Sequence, residues 1–267
     1  MKRHHLALWA LLAVAFAIFA VASAFDMPEI AGHKFKSAGI SETIFGERTP
    51  EGEDADSLFT TMAGDAAESA ATTFPVPVDT ASQTILFIGD SMLEGLGPRL
   101  AAYAKENGHR LYNVIWYSST SEVWGRSDKL EHYIEQIRPS FIFVCLGANE
   151  LFVSDIKTKR REYVRKIISD IDIIPFVWIG PPNWKPDTGI NELIAENTPQ
   201  GTFFVSNGMH FDRSRDGAHP TRASAALWMD SVARWMPENC LHPIRMARPD
   251  AATARADRIF VHQPNEH

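Results

Sequence analysis

From residue 84 onward, short runs that are apolar throughout alternate with longer stretches that are apolar only at intervals of three and four residues. That alternation restricts the chain to a small set of folds. A run that is apolar on both faces belongs to a strand covered above and below. Residues 84–88 form such a run, and 141–146 another; 111–116, 175–179 and the shorter 202–205 also read as strands. The stretches between them read as helices: one carrying Leu93, Leu96, Leu100 and Tyr103, then 130–137, 161–171 and, after the last strand, 223–235. Strand and helix in strict alternation predict an α/β domain, a three-layer α/β/α sandwich with a central parallel sheet, here over residues 82–240. Ligands of such sheets bind outside the carboxyl ends of the strands.

The flanks read differently. Met1-Lys2-Arg3-His4-His5 is a basic head, and residues 6–24 are uncharged and almost wholly apolar, ending in Ala22-Ser23-Ala24. Residues 1–24 therefore fit either a cleaved signal peptide or a retained membrane anchor. Both place the rest of the chain outside the cytoplasm, in the periplasm or cell envelope. Residues 25–81 read as a linker or N-terminal extension, with an acidic, Ala/Ser/Thr-rich stretch before Pro75 and Pro77. Residues 241–267 read as a C-terminal tail. The net charge of −7 argues against a nucleic-acid surface, which needs clustered Lys and Arg. With two cysteines, Cys145 and Cys240, the fold does not depend on a disulfide framework. Cys145 reads as a small buried hydrophobe, with a bridge to Cys240 as the alternative. No Cys/His spacing suggests zinc, so neither metal nor cofactor is expected.

Chemistry-bearing residues fall where the strands end. Ser91 follows the first strand in Gly89-Asp90-Ser91 and precedes a helix, whose opening N–H groups favour negative charge. Gly89 is read as permitting a tight turn there. Asp216-Gly217-Ala218-His219 lies in the loop before the last helix. His219 is a candidate base for the serine proton, and Asp216 a candidate orienter of the imidazole. Gly147-Ala148-Asn149-Glu150 follows the third strand, and the Asn149 amide is a candidate donor to an oxyanion. Taken singly, these are a helix cap, a polar loop and a strand-end turn. Together they lie at one predicted sheet edge.

In this order, Gly89-Asp90-Ser91, Gly147-Ala148-Asn149 and Asp216-x-x-His219 resemble blocks I, III and V of the SGNH hydrolases, the GDSL-like esterases, over roughly residues 82–236. The resemblance implies a flavodoxin-like fold, an acyl-serine intermediate on Ser91, a triad completed by His219 and Asp216, and no metal. It also implies an oxyanion hole made by the Ser91 N–H, a block II backbone N–H and the Asn149 side chain. Two departures stand out. Block II normally carries a glycine, where this chain has Tyr117-Ser118-Ser119-Thr120-Ser121. Ser118 is aligned with that glycine, and Ser119 is its rival. Block III usually ends in Asn-Asp, and here it is Asn149-Glu150. Trp116, Tyr117, Trp124, Trp178 and Trp184 lie at strand ends, and Trp184 and Tyr117 are candidate substrate-binding residues.

The expected function is a serine esterase of the cell envelope, removing acetyl or another short acyl group, with an acylated carbohydrate or other small ester as partner. An O-acetyltransferase using the same triad is a second reading. A catalytically silent glycan-binding module is a third, opposed by the intact Ser91, Asp216 and His219. The catalytic region shows no long apolar lid of the kind a lipase carries.

Overall fold

The computed structural model describes residues 76–264. The candidate signal or anchor at 1–24 and most of the extension at 25–81 lie outside the described residues. Among those described, no helix is long and apolar enough to cross a membrane.

Six strands form one sheet: β1 (Thr84–Gly89), β2 (Arg110–Trp116), β3 (Phe141–Cys145), β4 (Phe176–Ile179), β5 (Phe203–Phe204) and β6 (Arg258–His262), in the order β5-β4-β3-β1-β2-β6. All pairings are parallel. The helices are α1 (Leu93–Glu106), α2 (Ser121–Gly125), α3 (Lys129–Ile137), α4 (Ile156–Ile171), α5 (Ile190–Asn197) and α6 (Arg222–Asn239). The two-residue period of a strand divides the sheet's side chains between two cores. Ile85, Phe87, Leu111, Phe143 and Cys145 pack on the side of α1 and α6. Leu86, Ile88, Val114, Ile142, Val144 and Trp178 pack with residues of α2 to α5. This is the expected three-layer sandwich. Cys145 and Cys240 are buried and unpaired.

The chain leaves β1 towards β2 on one side and returns to β3 on the other. The sheet order therefore reverses between β1 and β3, where parallel sheets open a crevice at their carboxyl ends. Across the helix layer, α1 and α6 are joined by a buried ion pair. Arg99 Nε lies 2.6 Å from Asp230 Oδ1, which also accepts from the Tyr103 hydroxyl at 2.9 Å.

The C-terminal segment departs from expectation. Read as a tail, it is part of the domain. Arg245 N donates to Asp79 O at 2.9 Å, and Asp79 N donates to Pro243 O at 2.7 Å. Ala254 N then donates to Pro98 O, and Asp257 N to Leu111 O, both at 2.9 Å. The segment crosses α1 and enters the sheet as β6 beside β2, in register from Tyr112↔Arg258 to Trp116↔His262. The domain also begins slightly earlier than residue 82, since Asp79 makes these bonds. The helices α2 and α5 were not anticipated, and α4 starts at Ile156, a turn before 161.

Gly89 serves a different purpose from a tight turn. Its φ is not positive. A Cβ placed there would lie 2.3 Å from Cys145 O and 2.4 Å from Leu93 Cδ1. Glycine is needed because β1, β3 and the start of α1 converge at this point. Gly89→Ala is expected to cost about 1–3 kcal/mol of stability through overpacking, measured by urea unfolding. An unchanged midpoint would show that the strand ends can part.

Candidate active site

Ser91 sits in the turn between β1 and α1, half-buried, at the crevice where the sheet order reverses. The turn is held from both sides. Asp90 N donates to Cys145 O at 3.3 Å, and Met92 N donates to Asp90 Oδ1 at 2.9 Å. The Ser91 N–H takes no acceptor among the described residues.

The loop before α6 brings up the histidine. Gly217, at φ +71, turns the chain tightly in a conformation that favours glycine. The Asp216 carboxylate then faces the backbone that follows it. Its Oδ1 accepts from Ala218 N at 2.9 Å and His219 N at 3.0 Å, and its Oδ2 lies 2.8 Å from His219 Nδ1. These donors, the His219 N–H first, then the Ala218 N–H and the imidazole, pull the Asp216 carboxyl down to about 2. With Nδ1–H directed at the carboxylate, Nε2 is left as the acceptor for Ser91 Oγ, 2.8 Å away. The structure thus joins Ser91, His219 and Asp216 in one hydrogen-bonded chain.

One residue the sequence reading passed over holds this loop. The Arg213 guanidinium donates to Ala218 O within the loop, and to Pro182 O at 3.1 Å and Asn183 O at 3.0 Å in the segment after β4. An arginine three residues before the aspartate carries no motif of its own, so only the fold reveals its partners.

The remaining two loops meet through Asn149. Gly147 adopts φ +116, and a Cβ there would meet Ile190 and Pro181 at 3.1 and 3.2 Å. The turn places the Asn149 amide 3.0 Å from Ser119 O and, more distantly, 3.4 Å from Asp90 Oδ2. Ser118 occupies the left-handed region at φ 57, which favours glycine. Its N–H takes no acceptor among the described residues. Ser119 is placed otherwise: its N–H donates to Trp116 O at 3.1 Å, and its hydroxyl accepts from Trp124 Nε1 at 3.0 Å. Of the two rivals in block II, Ser118 has the unengaged N–H.

Glu150 locks the same loops from beneath. Fully buried, it accepts from Ser121 N, Ser121 Oγ and Arg160 Nε, each at 2.8 Å. Burial pushes its carboxyl up, against the pull of Ser121 and Arg160. The unusual Asn-Glu ending of block III is therefore a brace between the loops after β2 and β3.

The aromatic candidates divide. Trp116, Trp124 and Trp178 are core residues. Trp184 spends its indole N–H on Ala148 O at 2.9 Å and packs edge-on to Phe152, which braces the Asn149 loop from outside. It does not line the cavity beside Ser91, whereas Tyr117 does, with its hydroxyl donating to Glu94. Among the described residues no cluster of His, Cys, Asp and Glu has the makings of a metal site.

Two measurements follow. Glu150→Ala leaves the Ser121 donors without their buried acceptor while Arg160 keeps Glu122, and is expected to cost about 1–3 kcal/mol by chemical denaturation. A loss below about 1 kcal/mol, the worth of an exposed pair, would refute the brace. Asp90 behaves oppositely to Asp216. Burial raises its carboxyl to about 7, although the Met92 N–H pulls the other way. Its folded value lies above its unfolded one, so the native state holds the proton longer. The stability it contributes is full below about pH 4 and is lost as pH rises through about 7. Thermal midpoints should decline from pH 5 to 8 in the parent protein and decline less in Asp90→Asn. Parallel curves would show that Asp90 is ionised throughout.

No family model matches this chain, and no curated protein matches it. Among solved structures, it is similar to the psychrotrophic esterase EstA from Pseudoalteromonas sp., at 19% identity and a TM-score of 0.41, covering 57% of this chain and 97% of that one. It is similar to TesA at 19% and 0.45, over 56% and 96%, and to the lipase/acylhydrolase from Enterococcus faecalis at 16% and 0.44, over 58% and 95%. The first of these is named an esterase and the third a lipase/acylhydrolase, each at low identity to this chain. What this chain's own site can do follows from its Ser91, His219 and Asp216.

Proposed function

We propose that this chain is a serine ester hydrolase of the SGNH type. The observation that carries the reading is the continuous path Asp216 Oδ2–His219 Nδ1 at 2.8 Å and His219 Nε2–Ser91 Oγ at 2.8 Å, beside a cavity. In this reading the Ser91 hydroxyl adds to the ester carbonyl while His219 Nε2 takes its proton. The oxyanion is met by the Ser91 N–H, the Ser118 N–H and the Asn149 amide. Asn149 keeps one N–H on Ser119 O, which fixes its plane, and turns the other from the distant Asp90 to the substrate oxygen. Asp216 stabilises the imidazolium. His219 then returns the proton to the departing alkoxide, leaving an acyl-serine and a free alcohol. Water, activated by the same imidazole, releases the acid and restores Ser91.

The substrate is, in this proposal, an acetyl or short acyl ester on a carbohydrate. The basic head and apolar run of residues 1–24 support export to the cell envelope, with or without a retained anchor. Cell fractionation tests this; a cytoplasmic protein with an intact N-terminus would contradict it. An acceptor sugar hydroxyl in place of water turns the same acyl-enzyme into an O-acetyltransferase, and hydrolysis of 4-nitrophenyl acetate with and without a sugar acceptor separates the two.

A fluorophosphonate should label Ser91, read by peptide mass spectrometry, and Ser91→Ala should abolish both labelling and turnover. A folded Ser91→Ala protein with parent turnover would sink the reading. Asn149→Ala should lower kcat by roughly 10²–10³, about 3–4 kcal/mol, with little change in KM, because its donor meets charge that develops in the transition state. Ser118→Gly keeps the N–H and should retain activity. The rate should rise with pH from the acid side, because the imidazole has to accept the Ser91 proton while Asp216 stays ionised. A flat profile with chemistry rate-limiting would contradict that role.

A further inference from the structure

A cavity of about 740 Å³ opens beside Ser91 and His219. Its lining passes along Met92 and Pro98 of the α1 side to Asn113 and Ile115 of β2, and to Ile259 and Val261 of β6. The acyl transfer itself uses only the mouth of this space. An acetyl group would leave most of it empty, and the volume is that of a site for a small-molecule ligand.

Among the polar residues that line the cavity, which include Glu94, Tyr117, Arg222 and Arg255, Asn113 stands out because it is buried and has an unpaired acceptor. It lies in the middle of β2, 3% exposed, and its Oδ1 is buried with no hydrogen-bond partner among the described residues. Space has been made for its amide. A Cβ on Gly97 would lie 2.6 Å from Asn113 Nδ2, so the facing helix position must lack a side chain. An unpaired buried acceptor destabilises the fold, and a central strand position favours an apolar β-branched residue. Asn113 lines the cavity while its Oδ1 is closed to water-sized groups, so a ligand hydroxyl reaches that acceptor when the amide turns toward the cavity. The flanking Ile115, Ile259 and Val261 offer apolar contact to the rest of that ligand.

We propose that this cavity is the subsite for the alcohol portion of the ester, and that this portion is hydroxylated, a sugar or polyol unit, with one hydroxyl donating to Asn113 Oδ1. The inference rests on the ester-hydrolase reading above and names the side of the ester that the site selects. An acetyl group has no donor to offer Asn113. A hydroxyl on the alcohol side does.

The test compares two acetyl esters with ring-sized alcohols, a methyl glucoside monoacetate and cyclohexyl acetate, on the full chain, with 4-nitrophenyl acetate as a separate measure of the triad. The parent enzyme should prefer the glucoside ester by about tenfold or more in kcat/KM, as a site built around a hydroxyl rejects the analogue lacking it. Asn113→Val should reduce that preference by about tenfold while raising the thermal midpoint by about 2–4 °C, since it removes an orphan acceptor. Ile259 is on the exposed edge strand, so Ile259→Trp should fold, fill the cavity and lower kcat/KM for the glucoside ester more than for 4-nitrophenyl acetate. A preference unchanged within about twofold in both variants, in an enzyme active on 4-nitrophenyl acetate, overturns the subsite and leaves the esterase reading standing. An Asn113-dependent preference for 4-nitrophenyl lactate over 4-nitrophenyl acetate, without a glucoside preference, overturns the assignment to the alcohol side. A parent protein inert to 4-nitrophenyl acetate overturns the underlying reading, and this inference with it.

Discussion

The parallel pairing of β1 with β2 on one side and β3 on the other organises the rest of the molecule. Because Gly89 lies opposite both Ile115 and Cys145, the three strands end at nearly the same level. Their outgoing loops then have to share one small volume. Ser91, Ser118 and Asn149 are neighbours for that reason alone, although 58 residues separate the first from the last in the chain (149 − 91). The contacts among the loops, Asn149 to Ser119, Glu150 to Ser121 and Asp90 to Cys145, tighten a convergence that the sheet has already imposed.

The two aspartates of the site show how far environment outranks residue type. Asp216 is exposed and surrounded by donors, so it stays charged well below neutrality. Asp90 is sealed beneath Ser91 with a single backbone donor at its nearest oxygen, and its carboxyl rises to about 7. In the proposed reaction, a charge is kept where an imidazolium would need a partner and is resisted under the serine, where a fixed anion would oppose an oxyanion.

Much of this was legible in the sequence, for identifiable reasons. Strands β1, β3 and β4 are buried on both faces, so their runs are unbroken and easy to see; β2 is interrupted by Asn113 but is otherwise apolar from Leu111 to Trp116. The D-x-x-H unit is self-contained: Asp216 bonds to the backbone and ring of His219 within one turn, and the spacing alone suggests the contact. What escaped notice depends on partners distant in the chain. In β6, Phe260 packs inward against Tyr133 while Ile259 and Val261 stay half-exposed, and so short an alternation has no apolar run to mark it. Trp184 read as a binding aromatic because indole chemistry is the same whether the N–H meets a ligand or, as here, the Ala148 carbonyl. Gly89 was correctly singled out, but its reason was a neighbour's oxygen rather than its own backbone angle. Ser118 was aligned with the glycine of the resembled family by counting back from Gly125 and Pro139, and its left-handed backbone is one that glycine adopts readily.

The position of β6 has a consequence for how the domain comes into being. It is the last of the six described strands in chain order, yet it covers the outer edge of β2, the strand adjacent to the one that Ser91 follows. Throughout translation of residues 117–257, β2 has an open row of backbone donors and acceptors on that side. Such an edge is a template for pairing with another chain. A chain cut short before Arg258 would therefore fail in a particular way: with the triad residues all present, and a sticky edge where the finished molecule has a wall.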